Sequence, residues 1–333
     1  MAGKPDSKLK LLYLKKILEE ESDEEHILNA VDIATMLYQR YGIECERKSI
    51  YKDVEVLEDS GLDVVKTLSP KKGYFVASRE FEPVEIRLLS DAVQAADFIT
   101  KKKTQEMLKK IEGLTSVHQA AILKKQVYID KRIKSRNESV FYSIDKLDEA
   151  IRENKKVSFV YTKRKLDEKF AARKERKTFR VSPYGLIWTN DHYYLVANNE
   201  KYDNLMNVRV DRISSVELLI ERARPISEVS GYKQKFDPAD YVQKTFNMFS
   251  GEPEMIELKC GNELLESMFD RFGESVDTRV ADGDHFYLRT EASVNHGLVG
   301  WILQFGDGIE VSKPASLREM VAQTAAAVLN KYQ

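Results

Sequence analysis

The sequence predicts a multidomain α+β protein, and three observations predict it. The chain has 333 residues, more than a single core usually organises, so two or three domains are expected. Residues 1–80 read as three amphipathic helices followed by two β-prone runs, the order of a winged helix-turn-helix domain. Residues 157–213 read as short strands between tight turns, a meander of the kind that closes into a small barrel, and residues 252–333 alternate strands with helices as an α+β layer.

In order, Ser7 caps a helix from about Lys8 to Glu20, with Leu9, Leu12, Tyr13 and Ile17 at inward spacing. The acidic run Glu19 to Glu25 then reads as a solvated loop. A second helix, about Asn29 to Tyr41, turns Ile33, Ala34 and Leu37 inward, and Gly42 supplies a left-handed stop. The third helix, residues 46–60, places Ile50, Val54 and Leu57 on one stripe at about 100° per residue, with Lys48, Lys52, Glu55 and Asp59 opposite. Its exposed side is basic first and acidic last. Arg47, Lys48, Ser49, Tyr51 and Lys52 are candidate DNA contacts, whereas phosphates repel Glu55, Glu58 and Asp59, so the helix enters a groove by its N-terminal end. Val64 to Leu68 and Tyr74 to Ala77 flank Ser-Pro-Lys-Lys-Gly, a hairpin whose tip offers Lys71 and Lys72.

Residues 81–140 read as a helical linker and dimerisation region. Its inward positions are Ile86, Leu89, Val93 and Ala96, then Met107, Leu108, Ile111 and Leu114, then Ala121 and Ile122, up to about Tyr128. A helix from about Ile144 to Glu153 opens the next domain, over 141–225. There Val157 to Tyr161 alternates as a strand, Lys163 to Lys177 reads as a charged loop, and Phe179 to Trp188 leads through Thr-Asn-Asp-His into Tyr193 to Ala197; Leu205 to Ile213 follows. The last domain, 252–333, reads as strand 255–260, helix 262–272, hairpin 276–292, helix 295–305, strand 309–312 and helix 314–331, with Trp301 in its core.

The net charge of −1 conceals an asymmetry. Residues 1–80 hold 13 Lys+Arg against 16 Asp+Glu, residues 101–180 hold 24 against 11, and residues 251–333 hold 7 against 14. A net-acidic DNA-binding domain must rely on local charges and on doubled contacts from a homodimer, while the basic middle suits an anionic ligand. No apolar run approaches the ~18 residues of a spanning helix and no signal-like stretch opens the chain, so a cytoplasmic protein without membrane contact is expected. Cys45 and Cys260 fit a reducing compartment. The five histidines have no metal spacing, and neither a Gly-rich phosphate loop nor a nucleophile elbow is present, so no metal, no cofactor and no catalysis are expected.

The pieces Phe159-Val-Tyr161, Arg180-Val-Ser-Pro-Tyr-Gly-Leu186, Tyr193-Tyr-Leu195 and Asn207-Val-Arg-Val-Asp-Arg-Ile213 resemble the core of a WYL domain, with Tyr-Tyr-Leu where the family has Trp-Tyr-Leu. Residues 252–333, with Gly300-Trp-Ile-Leu-Gln-Phe-Gly306 and Pro314-Ala-Ser-Leu-Arg318, are similar to the extension that often follows it. The resemblance implies an SH3/Sm-like barrel, a ferredoxin-like extension, and a bacterial, nucleoid-associated transcription regulator, usually homodimeric. Such a regulator binds a double-stranded DNA operator under control of a nucleotide or single-stranded nucleic-acid effector. Within the barrel, Arg180 and Ser182 alternate with Phe179 and Val181, and Arg209 alternates with Val208 and Val210, so polar strand faces are available. Guanidinium forks grip phosphate and tyrosines stack bases, which makes Tyr161, Arg180, Ser182, Tyr194, Arg209 and Arg212 the candidate effector site. The competing reading pairs these arginines with Asp211 or Glu217 to stiffen the barrel. Two other functions are weighed: a single-strand-binding accessory protein using the barrel, and a winged helix fused to a biotin-ligase-type enzyme, whose glycine-rich adenylate loop is missing here.

Overall fold

The computed structural model describes residues 7–69, 71–126, 134, 137–166, 172–233 and 235–333. Pro70 of the expected hairpin turn, Tyr128 at the expected end of the linker helices and the middle of the expected charged loop, 167–171, lie outside these residues. The chain divides into two compact units, Met1–Arg136 and Asn137–Gln333.

In the first unit, α1 (Ser7–Glu21), α2 (Ala30–Tyr41) and α3 (Arg47–Asp59) precede an antiparallel hairpin of β1 (Val64–Thr67) and β2 (Gly73–Val76). One core gathers Leu14, Ile17 and Leu18 from α1, Ile33 and Leu37 from α2, Ile50, Val54 and Leu57 from α3, and Tyr74 and Val76 from β2. The stripes predicted for α2 and α3 are therefore the buried ones. On α1 the buried stripe is shifted: Leu9 and Leu12 are exposed, and Leu14 and Leu18 flank Ile17 inside. Asn29 caps α2 by accepting from Val31 N and Asp32 N, and Gly42 ends it at φ 66°.

The acidic turn after α1 is no solvated loop. Ser22 and Asp23 are buried, because the Ser22 hydroxyl donates to Leu18 O and accepts Val76 N, and the Asp23 carboxylate accepts from His26 and Ser116. Leu28 exchanges backbone hydrogen bonds with Tyr74 at 2.9 and 2.8 Å, adding a one-residue third strand to the hairpin. Gly73 permits this approach, since a Cβ there would lie 2.5 Å from Leu28 O. Then come α4 (Pro83–Ala95), α5 (Lys101–Glu112) and α6 (Val117–Gln126). Ile86, Ala96 and Ala120 are buried, but Leu89, Leu114 and Ile122 face outward, against the expected inward pattern.

The second unit opens with α7 (Val140–Arg152), which packs Leu147 and Ala150 against a five-stranded antiparallel sheet. Its strands are β3 (Lys155–Leu166), β4 (Ala172–Thr189), β5 (His192–Asn198), β6 (Met206–Arg209) and β7 (Ile213–Arg222), in the order β6-β5-β4-β3-β7. A register shift between Pro183 and Gly185 lets the long β4 serve both halves of the sheet. Asn190 and Asp191, at φ 48° and 57°, form the two-residue turn between β4 and β5, where a primed turn requires positive φ twice. One expectation fails here. Most of the charged stretch 163–177 is strand, because the β3–β4 ladder runs unbroken from Val157↔Val181 to Leu166↔Ala172.

After α8 (Pro238–Lys244), the C-terminal layer runs β8 (Pro253–Gly261), α9 (Leu265–Phe272), β9 (Asp277–Val280), β10 (His285–Ser293), α10 (His296–Leu303), β11 (Ile309–Lys313) and α11 (Ala315–Leu329). The strand order β11-β8-β10-β9, antiparallel throughout, is the split βαβ arrangement of a ferredoxin-like layer. Trp301 packs at its core edge against Phe246, Phe272 and Phe305. Residues 226–251, which carry no strong sequence pattern, join the two sheets: Phe236 and Met248 lie in the core beneath β4 and β5, while Phe246 lies in the core of the last layer.

Candidate functional site

The first candidate surface is the N-terminal half of α3. Burial of Ile50, Val54 and Leu57 fixes its rotation, and leaves Arg47, Lys48, Tyr51 and Lys52 exposed. The exposed charges turn acidic at Glu55, Glu58 and Asp59, so positive potential is confined to the leading turns. Tyr51 leans toward the hairpin, its ring 6.5 Å from that of Tyr74. Two expected contacts are committed elsewhere. Ser49 is half-buried and accepts a hydrogen bond from Lys10 Nζ, which also pairs with Asp53 at 2.8 Å; one lysine of α1 thus spans positions i and i+4 of α3. At the hairpin, Lys71 Nζ bonds Asp32 Oδ2 at 2.7 Å and Ile27 O at 3.2 Å, folding back on the start of α2. Lys72 stays exposed, and Lys66 on β1 is a further exposed cation of the hairpin that the helix-centred reading passed over.

The second candidate surface lies on the five-stranded sheet. Register places Arg209 of β6 directly opposite Tyr194 of β5. The Arg209 fork is bidentate on Asp211, Nε to Oδ1 at 3.0 Å and Nη2 to Oδ2 at 2.8 Å, and Nη2 lies 3.4 Å from His192 Nδ1. Burial alone would lower the Arg209 pKa, but Asp211 outweighs it and the net shift is upward. Burial pushes the Tyr194 hydroxyl up, opposed by the positive charges of Arg209 and Arg212. Because β6 ends at Arg209 and residues 210–212 form a 3-10 turn, strict alternation does not hold and Arg212 acts on Tyr194 while remaining exposed. Tyr161 is buried on β3, edge-on to Phe179 at 6.0 Å. Lys163 Nζ lies 5.9 Å from the Tyr161 ring centre and Lys177 Nζ 5.4 Å from that of Phe179.

Arg180 and Ser182 do not join this cluster. Tyr161 faces Lys177 across the ladder, whereas Arg180 faces Ser158 and pairs with Glu221. The Ser182 hydroxyl is buried and accepts Arg224 N at 2.9 Å. Lys163 and Lys177 take the places assigned to them. Their signal was present in the sequence, two residues beyond Tyr161 and two before Phe179, but it is visible only if 163–177 is read as strand. The competing pairing is realised in part: Arg209 does bind Asp211, and Arg180 binds Glu221 rather than Glu217.

A cavity of about 570 Å³ lies at the seam formed by residues 229–253, lined among others by Tyr232, Asp240, Tyr241, Lys244 and Glu291. Its polar groups satisfy one another: Tyr232 donates to Asp240 at 2.7 Å, and Lys244 bridges Asp240 and Glu291 at 2.8 and 2.7 Å. Among the described residues no group of His, Cys, Asp and Glu forms a metal site, and no helix is long and apolar enough to cross a membrane.

Comparison with known proteins identifies two domains. The family model of the WYL domain matches residues 143–218, and that of the WCX domain matches residues 253–329. No curated protein sequence matches the chain. Among solved structures, the proteasome accessory factor B/C (PafBC) of Arthrobacter aurescens aligns at 15% identity and a TM-score of 0.29, over 100% of this chain and 51% of that one. This chain thus spans about half the length of PafBC. A CRISPR Cas-related protein aligns at 14% identity and a TM-score of 0.35, over 99% of this chain and 92% of that one. At such TM-scores neither structure bears on how this chain works. The two domain matches fall on the five-stranded sheet and on the C-terminal layer, in that order, so the chain carries a WYL domain followed by a WCX domain.

Proposed function

We propose that this protein is a bacterial transcription regulator, not an enzyme, in which residues 1–80 form a winged helix that binds an operator in double-stranded DNA and the WYL domain binds an anionic effector that alters that binding. The observation that carries the reading is α3: a helix whose inner stripe is fully used by the core and whose outer, leading turns present Arg47, Lys48, Tyr51 and Lys52 beside a hairpin bearing Lys66 and Lys72. Such a helix has one end that phosphates attract and one that they repel, as groove entry requires.

The effector site is the sheet cluster of Arg209, Arg212, Tyr161 and Tyr194, enlarged by Lys163 and Lys177, with His192 beside it. Four cations around two tyrosines suit the phosphate and base of a nucleotide or of a single-stranded nucleic acid. A regulating ligand must bind the DNA-competent and incompetent arrangements unequally, since only that difference shifts the equilibrium. The protein acts as a cytoplasmic, nucleoid-associated homodimer. Outward apolar side chains favour the dimer: Val84 and Leu88 on α4 are 63% and 64% exposed, and α11 buries only Leu317 while Val328 and Leu329 stay outside. Genomic footprinting in the native cell tests the reading. Discrete, near-palindromic protected sites that change occupancy with nucleotide state are expected, and uniform, sequence-independent occupancy would favour a single-strand-binding accessory role.

A further inference from the structure

The far end of the β3–β4 ladder stands clear of any core. Residues 163–166 and 173–178 are all exposed, yet they pair in strict register. The register sets like charges directly opposite one another, Arg164↔Lys174 and Lys165↔Arg173. Directly opposed like charges destabilise a ladder, so the backbone hydrogen bonds of this ribbon work against that repulsion. Directly opposed residues share a face, so both faces can be assigned. Among the described residues, one carries Lys163, Lys165 and Arg173 with Glu175, and the other carries Arg164, Lys174 and Arg176 with no acid.

We propose that this ribbon, beyond Lys163, inserts into the major groove of a DNA duplex and grips its phosphate walls through Arg164, Lys165, Lys174 and Arg176, as a second nucleic-acid contact separate from α3 and from the Arg209 cluster. Charge on both faces selects the occupant. A flat bilayer or a lone single strand touches one face, whereas a groove has a phosphate-bearing wall on each side. A B-form major groove, about 12 Å wide, admits a two-stranded ribbon. The inference does not depend on the regulatory reading, since α3 and the ribbon are different elements with different residues.

The test uses the full chain and a 30-base-pair duplex of random sequence. In a Lys48→Ala, Lys52→Ala background, adding Arg164→Gln, Lys165→Gln, Lys174→Gln and Arg176→Gln should weaken binding at least tenfold. The slope of log affinity against log salt should fall by about 0.9 for each phosphate no longer neutralised, so by roughly 3 to 4. Protection of guanine N7, a major-groove atom, from dimethyl sulfate should disappear with it. The melting temperature should hold or rise, because two repelling pairs have been removed; should the fourfold variant not fold, Arg164→Gln with Lys174→Gln carries the same test at half the slope change. Three results would overturn the proposal: Lys48→Ala, Lys52→Ala alone abolishing random-duplex binding; unchanged affinity and slope on neutralising the ribbon; or weakening seen only with single-stranded oligo-dT or with phosphatidylserine vesicles. Failure of the ribbon leaves the α3 reading standing, and loss of operator binding on changing α3 alone leaves the ribbon standing.

Discussion

The guanidinium of Arg209 is already held by a carboxylate two residues along its own chain, and any phosphate that reaches it must first displace Asp211. The site's apparent affinity is therefore reduced by the fraction of time Asp211 is away. Asp211→Asn should tighten binding of inorganic phosphate or a mononucleotide severalfold in calorimetric titration, and Arg209→Ala should abolish it with little loss of melting temperature. Arg209→Lys should fail as well, because an ammonium cannot reproduce the planar fork. Equal binding by wild type and Arg209→Ala would make the arginine structural. A second residue test concerns stability. Burial would raise the Asp23 pKa, but hydrogen bonds from Ser116 and His26 and the charge of His26 outweigh it, and the net shift is downward. A carboxylate with a depressed folded pKa contributes its full stability above the unfolded value, near 3.8, and loses it as pH falls through the lower folded value. Asp23→Ala, which strands the donors of Ser116 and His26, should cost about 2–3 kcal/mol at neutral pH, and the difference from wild type should shrink in acid melts. Alternation in the sequence put Arg209 on a polar strand face, and register sets it opposite Tyr194. That Arg180 and Ser182 lie elsewhere was not legible, because register is fixed by cross-strand partners that no local pattern reveals.

Among the elements, α3 was the easiest to read, since its three buried positions have a helical period and its charges sort by end. Lys48→Ala with Lys52→Ala should lower the salt slope of operator binding by about 2, at ~0.9 for each phosphate left without its lysine; an unchanged slope, measured by fluorescence anisotropy, would exclude this face. The far end of the β3–β4 ladder was the hardest, because a strand with no buried face shows no alternation and reads as loop. Only pairing makes it a strand. The bend in β4 rests on Gly185, where a Cβ would lie 2.6 Å from the Phe236 ring. Gly185→Ala should therefore displace that ring and destabilise the second unit by roughly 1–3 kcal/mol, read as a drop in chemical-denaturation midpoint.

At the scale of the whole molecule, the proposed regulator needs dimerisation to give its net-acidic N-terminal region useful affinity for DNA, and light scattering at micromolar concentration should give twice the chain mass. A chain that remains single would remove both the dimer and the palindromic operator from the reading. The role of residues 226–251 was not legible in the sequence, because their apolar residues serve two cores at once and so follow neither a strand nor a helix period. Phe246 and Met248 are two residues apart in the chain and belong to different cores. To separate the two sheets, one of those side chains must be drawn out into water, and Ile187 and Val196 lose their cover as Phe236 leaves. The WYL and WCX domains are therefore distinct as folds and single as a thermodynamic body. They should melt in one calorimetric transition, and a fragment cut after Arg224 should aggregate rather than survive as an independent sensor.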